Sequence, residues 1–178
     1  MGTMLDLHTG RQTYDFDCGA KVLQTVMAYY GIDIREDELI SELGTGRDGT
    51  RVERMISVAR DKGFSVKANQ YFSIRELKHY IDEGHPVIVM LQAWSDRYMT
   101  LKDWRNNYED GHYAVVIGYA KGVLLFEDPA SFHRTWLREY EFMARWHDQD
   151  LEHERKYEQL GLVLLGREPV EKTPRHMD

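Results

Sequence analysis

Apolar residues in the first half of the chain recur at intervals of three and four, which places them on one face of an α-helix. The first such pattern begins at Cys18 and stops at Gly31. Its apolar positions are Val22, Leu23, Val26, Met27 and Tyr30. Three further helices are predicted over residues 37–43, 50–63 and 73–84, and a glycine stands at or just after the end of each one.

Pairs of polar residues mark the starts of two of these helices. Thr50 with Glu53, and Ser73 with Glu76, have the spacing of a capping box, which satisfies the first backbone N–H groups of a helix. Asp17 stands directly before the first helix and is expected to cap it.

The second half of the chain has short, continuous apolar runs, which are typical of buried strands. Such strands are predicted over residues 86–91, 113–119, 123–128 and 160–165, with an earlier strand over residues 64–71. Residues 120–122 join two of them by a short connection, which favours an antiparallel hairpin. Residues 137–147 are interpreted as a helix, and the charged stretch 141–156 as an exposed helix.

Helices first and an antiparallel sheet second predict an α+β fold. The 178 residues are enough for one domain with a substantial core, and a polar tail is expected from about residue 167. With 42% hydrophobic and 30% charged residues, the composition is that of a globular protein.

Charge and cysteine content limit the expected partners and compartment. A net charge of −7 argues against a nucleic-acid partner, which normally requires a basic face. A single cysteine cannot form an internal disulfide, which suits a reducing compartment. Residues 1–11 lack the apolar stretch of a signal peptide, and no apolar run approaches the ~20 residues of a membrane helix. We therefore expect a cytoplasmic protein without a membrane segment, or a domain of a longer protein.

Four residues supply the parts of a cysteine acyl-transfer site. Cys18 lies at a predicted helix start, where the helix dipole favours a thiolate. His112 opens one predicted strand and Asp128 closes the next, so that a carboxylate can orient an imidazole. Gln12 precedes Cys18 by six residues, and its amide can donate to an oxyanion beside the Cys18 backbone N–H.

The register of the predicted hairpin brings two of these residues together. If the turn is centred near Lys121, position 114 lies opposite position 128. His112 and Asp128 then share one face and one end of the sheet as diagonal neighbours, within reach of each other. A change of one residue in the register would separate them.

Each candidate also has an ordinary structural interpretation. Cys18 alone could be a small buried apolar residue, and Asp128 before a proline could be a turn former. His147 and His153 have acidic neighbours and could hold a metal ion, but a solvated charged helix is the favoured interpretation. We therefore expect no metal and no cofactor.

Residues 94–110 are rich in aromatic side chains and connect two predicted core strands. Because this segment immediately precedes His112, we expect it to cover one side of the active-site cleft and to bind substrate through Trp94, Trp104 and Tyr108. The alternative is that its tryptophans complete the core.

The sequence also resembles a known family. Gln12-x5-Cys18-Gly19-Ala20, followed by a helix ending in Tyr29-Tyr30-Gly31, is similar to the papain-like cysteine peptidases that process bacteriocin leaders after a double glycine. Further similar features are Gly49-Thr50 before a helix, Gly63-Phe64, the helix start from Ser73 to Leu77, the run from Gly84 to Val89, the strand from Gly111 to Tyr119, and Asp128-Pro129. The resemblance covers about residues 12–130.

This resemblance implies a papain-like fold and a role for each candidate. Cys18 would be the nucleophile, His112 the general base, Asp128 the orienting acid and Gln12 the oxyanion donor. The family's best-known members continue into a membrane exporter, whereas we expect here a stand-alone relative with another peptide as its substrate. Two alternatives stay open: acyl transfer to an amine by the same residues, and a peptide-binding module without activity.

Overall fold

Helices dominate the first half of the chain and strands the second half in the computed structural model, which describes residues 2–7, 10–150 and 155–177. The helices are α1 (Cys18–Tyr29), α2 (Glu36–Leu43), α3 (Val52–Asp61), α4 (Ile74–Asp82), α5 (Leu101–Asn106) and α6 (Glu139–Arg145). The strands are β1 (Thr3–Met4), β2 (Ser65–Asn69), β3 (Val87–Gln92), β4 (Gly111–Ala120), β5 (Val123–Glu127), β6 (Thr135–Arg138), β7 (His147–Asp150), β8 (Arg155–Glu158) and β9 (Gly161–Leu165).

Seven of these strands form one antiparallel sheet in the order β2-β9-β3-β4-β5-β6, with β1 paired to β4 near its end. Strands β7 and β8 form a separate antiparallel pair. The predicted α+β class is therefore confirmed, as is the hairpin of β4 and β5.

Apolar layers cover both faces of the central sheet. Ile88 and Met90 of β3 face the layer that contains α1, α2 and α3. Val87 and Val89 alternate with them and face the layer that contains α4 and α6. Because both faces are covered, β3 is buried along its whole length, and this is the reason for its continuous apolar sequence.

One of the two predicted capping boxes is present. The Ser73 hydroxyl accepts the Glu76 backbone N–H, and the Glu76 carboxylate accepts the Ser73 N–H. The prediction of a capping box at Thr50 was wrong, because α3 starts one residue later than that pattern requires. The Thr50 hydroxyl pairs with Thr45 instead, and the Glu53 carboxylate contacts Arg155.

The helix predicted over residues 137–147 is present but shorter, as α6 over Glu139–Arg145, whereas the exposed helix predicted over 141–156 was wrong for the described residues after Arg145. Leu137 belongs to strand β6, which pairs with β5, and α6 ends at Arg145. The indole of Trp146 is buried and donates to the Leu160 carbonyl oxygen at 2.9 Å, and the chain then turns into β7. The charged residues after this point form β7 and β8 rather than an exposed helix, and His153 lies outside the described residues.

Among the helices in the described ranges, none combines the length and apolar character that crossing a lipid bilayer requires.

Candidate active site

Cys18 is the first residue of α1, and this helix start lies against strand β4. Gly19 permits the close approach, because a Cβ at this position would lie 2.6 Å from Thr50 Cβ and 3.2 Å from Tyr113 Cδ2. The Cys18 side chain is half-buried and its sulfur is not in a disulfide. It lies at the N-terminal end of the helix, where the helix dipole is positive.

Asp17 does not cap α1 with its side chain, so this expectation was wrong. Its carboxylate accepts the backbone N–H groups of Thr13 and Tyr14, both at 3.1 Å, and is buried. Burial raises the pKa of Asp17, and a hydrogen bond with Glu36 adds to this rise. The carboxylate therefore shapes the loop that carries Gln12.

His112 and Asp128 form a buried pair at the edge of the sheet. Nε2 of His112 lies 2.8 Å from Oδ1 of Asp128, on the same sheet face, so the predicted proximity is confirmed. Burial of the ring opposes its charge, but hydrogen bonds to Asp128 and Cys18 outweigh it and raise the pKa of His112 to about 9. Burial also opposes the carboxylate charge, yet the bond to His112 holds the pKa of Asp128 below its ordinary value.

The imidazole bridges the carboxylate and the thiol. Asp128 engages Nε2 of His112 at 2.8 Å, and the thiol of Cys18 interacts with the same ring closely enough to raise its pKa. This arrangement places a general base beside the thiol, as nucleophilic catalysis requires.

Gln12 reaches the same region through the chain segment beside Asp128. Its backbone N–H donates to the Pro129 carbonyl oxygen at 2.8 Å. Its side-chain Nε2 donates to the Tyr14 carbonyl oxygen at 2.6 Å, and its Oε1 is buried without a hydrogen-bond partner among the described residues. One N–H of the amide is thus engaged by the loop, and the second is available for another acceptor.

The three predicted substrate-binding aromatics lie in different places. Trp94 is 56% exposed, and its Nε1 donates to Oδ2 of Asp128 at 3.0 Å. Trp104 is only 6% exposed and packs under the Arg145 guanidinium, and Tyr108 contacts the His147 ring. The structure therefore brings Trp94 to the site and leaves Trp104 and Tyr108 away from it, because α5 turns Trp104 inward onto α6.

Sequence reasoning missed a pocket of about 130 Å³ next to His112 and Asp128. Trp136 and Arg145 line it, and neither had been singled out. Thr135 and Trp136 are β-branched and aromatic, and such residues favour a strand, so composition could have indicated strand β6. No local pattern marks Arg145.

A second missed residue is Asp148, which the exposed-helix interpretation had placed in solvent. It is largely buried, and its Oδ1 accepts Nε2 of Gln92 at 2.9 Å. A Cβ on Gly111 would lie only 2.5 Å from its Oδ2, so the carboxylate abuts the residue before His112. Burial raises the pKa of Asp148 to about 6.

A helix-borne thiol facing a sheet-borne imidazole and carboxylate defines a papain-like thiol site. The model of the Peptidase C39 family matches residues 6–157, and the chain belongs to this family. It is a cysteine peptidase. An uncharacterised protein of Methanothermobacter marburgensis is 31% identical over 100 residues, which are 52% of this chain and 68% of that protein.

Solved structures of peptidase domains share the fold. The peptidase domain of Streptococcus ComA, a bifunctional ABC transporter of a quorum-sensing pathway, has a TM-score of 0.63 at 23% identity and covers 88% of this chain and 96% of its own. A double-glycine-motif protease from an AMS/PCAT transporter, bound to its leader peptide, has a TM-score of 0.63 at 19% identity, covering 91% and 93%. A Bacillus anthracis protein described as a C39-like peptidase has a TM-score of 0.71 at 16% identity, covering 94% and 98%.

Proposed function

We propose that this peptidase hydrolyses a peptide bond with Cys18 as nucleophile, His112 as general base and acid, Asp128 as orienting carboxylate and Gln12 as oxyanion donor. The observation that carries the proposal is the buried His112 ring, which Asp128 engages at Nε2 at 2.8 Å and whose pKa is raised by the nearby Cys18 thiol. An imidazole placed in this way can take and return one proton along a fixed direction.

The reaction proceeds in two halves. The Cys18 sulfur attacks the peptide carbonyl carbon, and the free N–H of Gln12 together with the Cys18 backbone N–H stabilises the oxyanion. His112 then donates its proton to the leaving amine, the C–N bond breaks and a thioester remains. A water molecule, deprotonated by His112, attacks the thioester and releases the acid and the thiol.

The proposed substrate is a peptide. The transporter protease solved with its leader peptide supports this class of substrate. We propose a peptide other than a double-glycine leader, because residues 94–110 place the exposed Trp94 directly against Asp128 and so add a contact surface next to the site.

Substitution of the three central residues tests the proposal on a library of internally quenched peptides. Cys18→Ala and His112→Ala should reduce cleavage to background, and Asp128→Asn should lower it about a hundredfold or more, because general acid–base catalysis contributes a factor of about 10²–10⁴. His79→Ala is the matched control, since this histidine is solvent-exposed on α4. Full activity of Asp128→Asn would contradict the proposed role of the carboxylate.

Two further measurements separate the alternatives. Iodoacetamide should label Cys18 at neutral pH and should do so more slowly in His112→Ala; equal rates in both proteins, with no peptide cleaved, would favour a binding module without activity. Product analysis with added glycinamide distinguishes hydrolysis, which leaves a free carboxylate, from acyl transfer, which leaves an amide.

A further inference from the structure

The pocket beside the catalytic pair has an apolar interior and one cationic group. Leu91, Ala114 and Phe126 contribute apolar side chains from the sheet, and Arg145 contributes a guanidinium from α6. Neither Cys18 nor Gln12 lines it, although His112 and Asp128 both do. The pocket therefore lies on the Asp128 side of the imidazole, away from the thiol.

Within the described part of the chain, the half-buried Arg145 guanidinium has few of the partners that such a cation normally has. Its Nε is buried without a hydrogen-bond partner among the described residues. Its guanidinium stacks on the Trp104 ring at 4.0 Å, which fixes its plane but satisfies no N–H group. The nearby Glu141 carboxylate already accepts the Arg138 backbone N–H at 2.8 Å. An unpaired N–H in a partly desolvated site is costly, so this guanidinium is suited to an acceptor that arrives with a ligand.

The two exposed tryptophans define the apolar part of the same ligand. Trp94 is 56% exposed and Trp136 is 57% exposed, and both line the pocket. Trp94 also has a backbone φ of 63°, a strained conformation for a non-glycine residue that is typical of functional positions. Exposed indoles around an apolar cavity are a common binding surface for a side chain.

The chemistry of the proposed reaction decides which part of a peptide this pocket can receive. The acyl part is held at Cys18 and Gln12, whereas the leaving amine must take its proton from His112. Residues that follow the cleaved bond therefore extend past the imidazole, towards the surface that His112 shares with the pocket.

We propose that this pocket binds the leaving part of the substrate, with a carboxylate of the first or second residue after the cleaved bond hydrogen-bonded to Arg145. The apolar atoms of that residue contact Trp94 and Trp136. The proposal rests on the proposed peptidase function. The carboxylate can come from an acidic side chain or from a free peptide C-terminus, since both present the same pair of oxygens to the guanidinium fork.

Matched substrates test the proposal. Four peptides with the same acyl part separate the two sources of the carboxylate. They end in Ala-Leu with a free carboxylate, in Ala-Leu-amide, in Ala-Glu-amide or in Ala-Gln-amide. We expect kcat/KM for at least one carboxylate peptide to exceed that of its neutral partner about tenfold or more, mainly through KM, because a hydrogen bond to a charged group is worth at least that factor. In Arg145→Gln the ratio should fall towards one, whereas Arg105→Gln, an exposed arginine of α5, should keep the wild-type ratio.

A binding measurement keeps the test independent of turnover. Two pairs of ligands are titrated into Cys18→Ala while tryptophan fluorescence is followed. The first pair is leucine and leucinamide, and the second is Ala-Glu-amide and Ala-Gln-amide. Tighter binding of a carboxylate form, lost on adding Arg145→Gln or Arg145→Lys, supports the pocket even if no library peptide is cleaved. Equal binding of carboxylate and amide forms by the parent Cys18→Ala protein would overturn the proposal, and so would a carboxylate preference that survives in a folded Arg145→Gln protein. Failure to cleave any peptide would count against the proposed function alone.

Discussion

Asp128 accepts hydrogen bonds from several directions, and His112 is only one of its partners. The indole of Trp94 donates to Oδ2 at 3.0 Å, and the backbone N–H of Ala130 donates to Oδ1 at 2.9 Å. The hydroxyl of Thr135 lies 3.4 Å from Oδ2. A carboxylate held by this many donors has one orientation, and it imposes that orientation on the imidazole.

Gln12 is joined to the segment beside Asp128 by a backbone hydrogen bond to Pro129, and its proposed role as oxyanion donor gives a sharp prediction. Gln12→Ala should lower kcat about a hundredfold, or ~3 kcal/mol, and change KM little, because an oxyanion donor acts only on the transition state. The rate of Cys18 alkylation should stay nearly the same, since alkylation builds no oxyanion. Steady-state kinetics and iodoacetamide labelling of the same preparation measure both.

Gln24→Ala is the matched control for this change. Gln24 also donates from its side-chain amide to a backbone oxygen, that of Ile34, at 2.8 Å, but it does so on α1 away from the thiol. If Gln12→Ala abolishes alkylation as well, the residue maintains the loop or the thiolate, and the oxyanion role is lost.

At the scale of elements, the β4–β5 hairpin has the predicted pairing near the site, but its turn and the register next to the turn differ from the prediction. The turn consists of Lys121 and Gly122, both with positive φ, and is one residue shorter than expected. A bulge between Val116 and Gly118 shifts the register by one residue and restores the predicted pairing near the site. His112 and Asp128 therefore share a face because two deviations from the simple hairpin cancel.

Helix α5 explains why an aromatic residue predicted to bind substrate is part of the packing. Trp104→Ala should destabilise the fold by about 3–5 kcal/mol, because it removes a buried ring and leaves a cavity under Arg145. Urea unfolding measures the change. Tyr98→Ala, at a 92% exposed position of the same segment, should shift stability by about 0.5 kcal/mol or less.

The opposite result would restore the cleft interpretation of Trp104. In that case Trp104→Ala would raise KM while the unfolding midpoint stayed at the wild-type value.

At the scale of the whole molecule, the β7–β8 pair packs against strands β3 and β4 next to the site and contributes a buried carboxylate. Its Asp148 contacts Gln92 of β3 and lies against Gly111 of β4, so one carboxylate joins three strands. The side chain of His147 adds a bond of 2.8 Å from Nε2 to the Asn107 carbonyl oxygen. These contacts link β7 to the strand that carries His112.

Asp148 makes the stability of the fold depend on pH in a defined window. Its pKa is raised from 3.8 in the unfolded chain to about 6 in the fold, so the folded state binds the extra proton between these values. The contribution of this group is fully present below pH 3.8 and is lost as the pH rises through about 6. Asp148→Asn should thus gain stability relative to wild type between pH 4 and 7, by up to about 3 kcal/mol.

Unfolding by urea at pH 4.5, 5.5 and 7 checks this difference, and Asp150→Asn, at a less buried position of the same strand, serves as control. A constant difference between Asp148→Asn and wild type over this range would show that Asp148 titrates alike in both states.

The sequence predicted most helices and the central strands because the signals for them are local. Helical spacing identified α1 through α4, and continuous apolar runs identified β3, β4, β5 and β9. Residues 135–150 were predicted less well, since β6, α6 and β7 follow one another within this stretch and their patterns overlap.

For the site, the sequence by itself determined which side chains are available: a lone thiol at a helix start, and an imidazole and a carboxylate on paired strands. These depend on spacing of a few residues and on one turn, which are properties of neighbouring positions. The tertiary structure alone decided the placement of Arg145, Trp136 and Asp148, because their surroundings come from strands and helices that are distant in sequence. Packing across the sheet, rather than any local pattern, placed Arg145 in the pocket that His112 and Asp128 also line and turned Trp104 away from them. It also left the Arg145 Nε without a hydrogen-bond partner among the described residues.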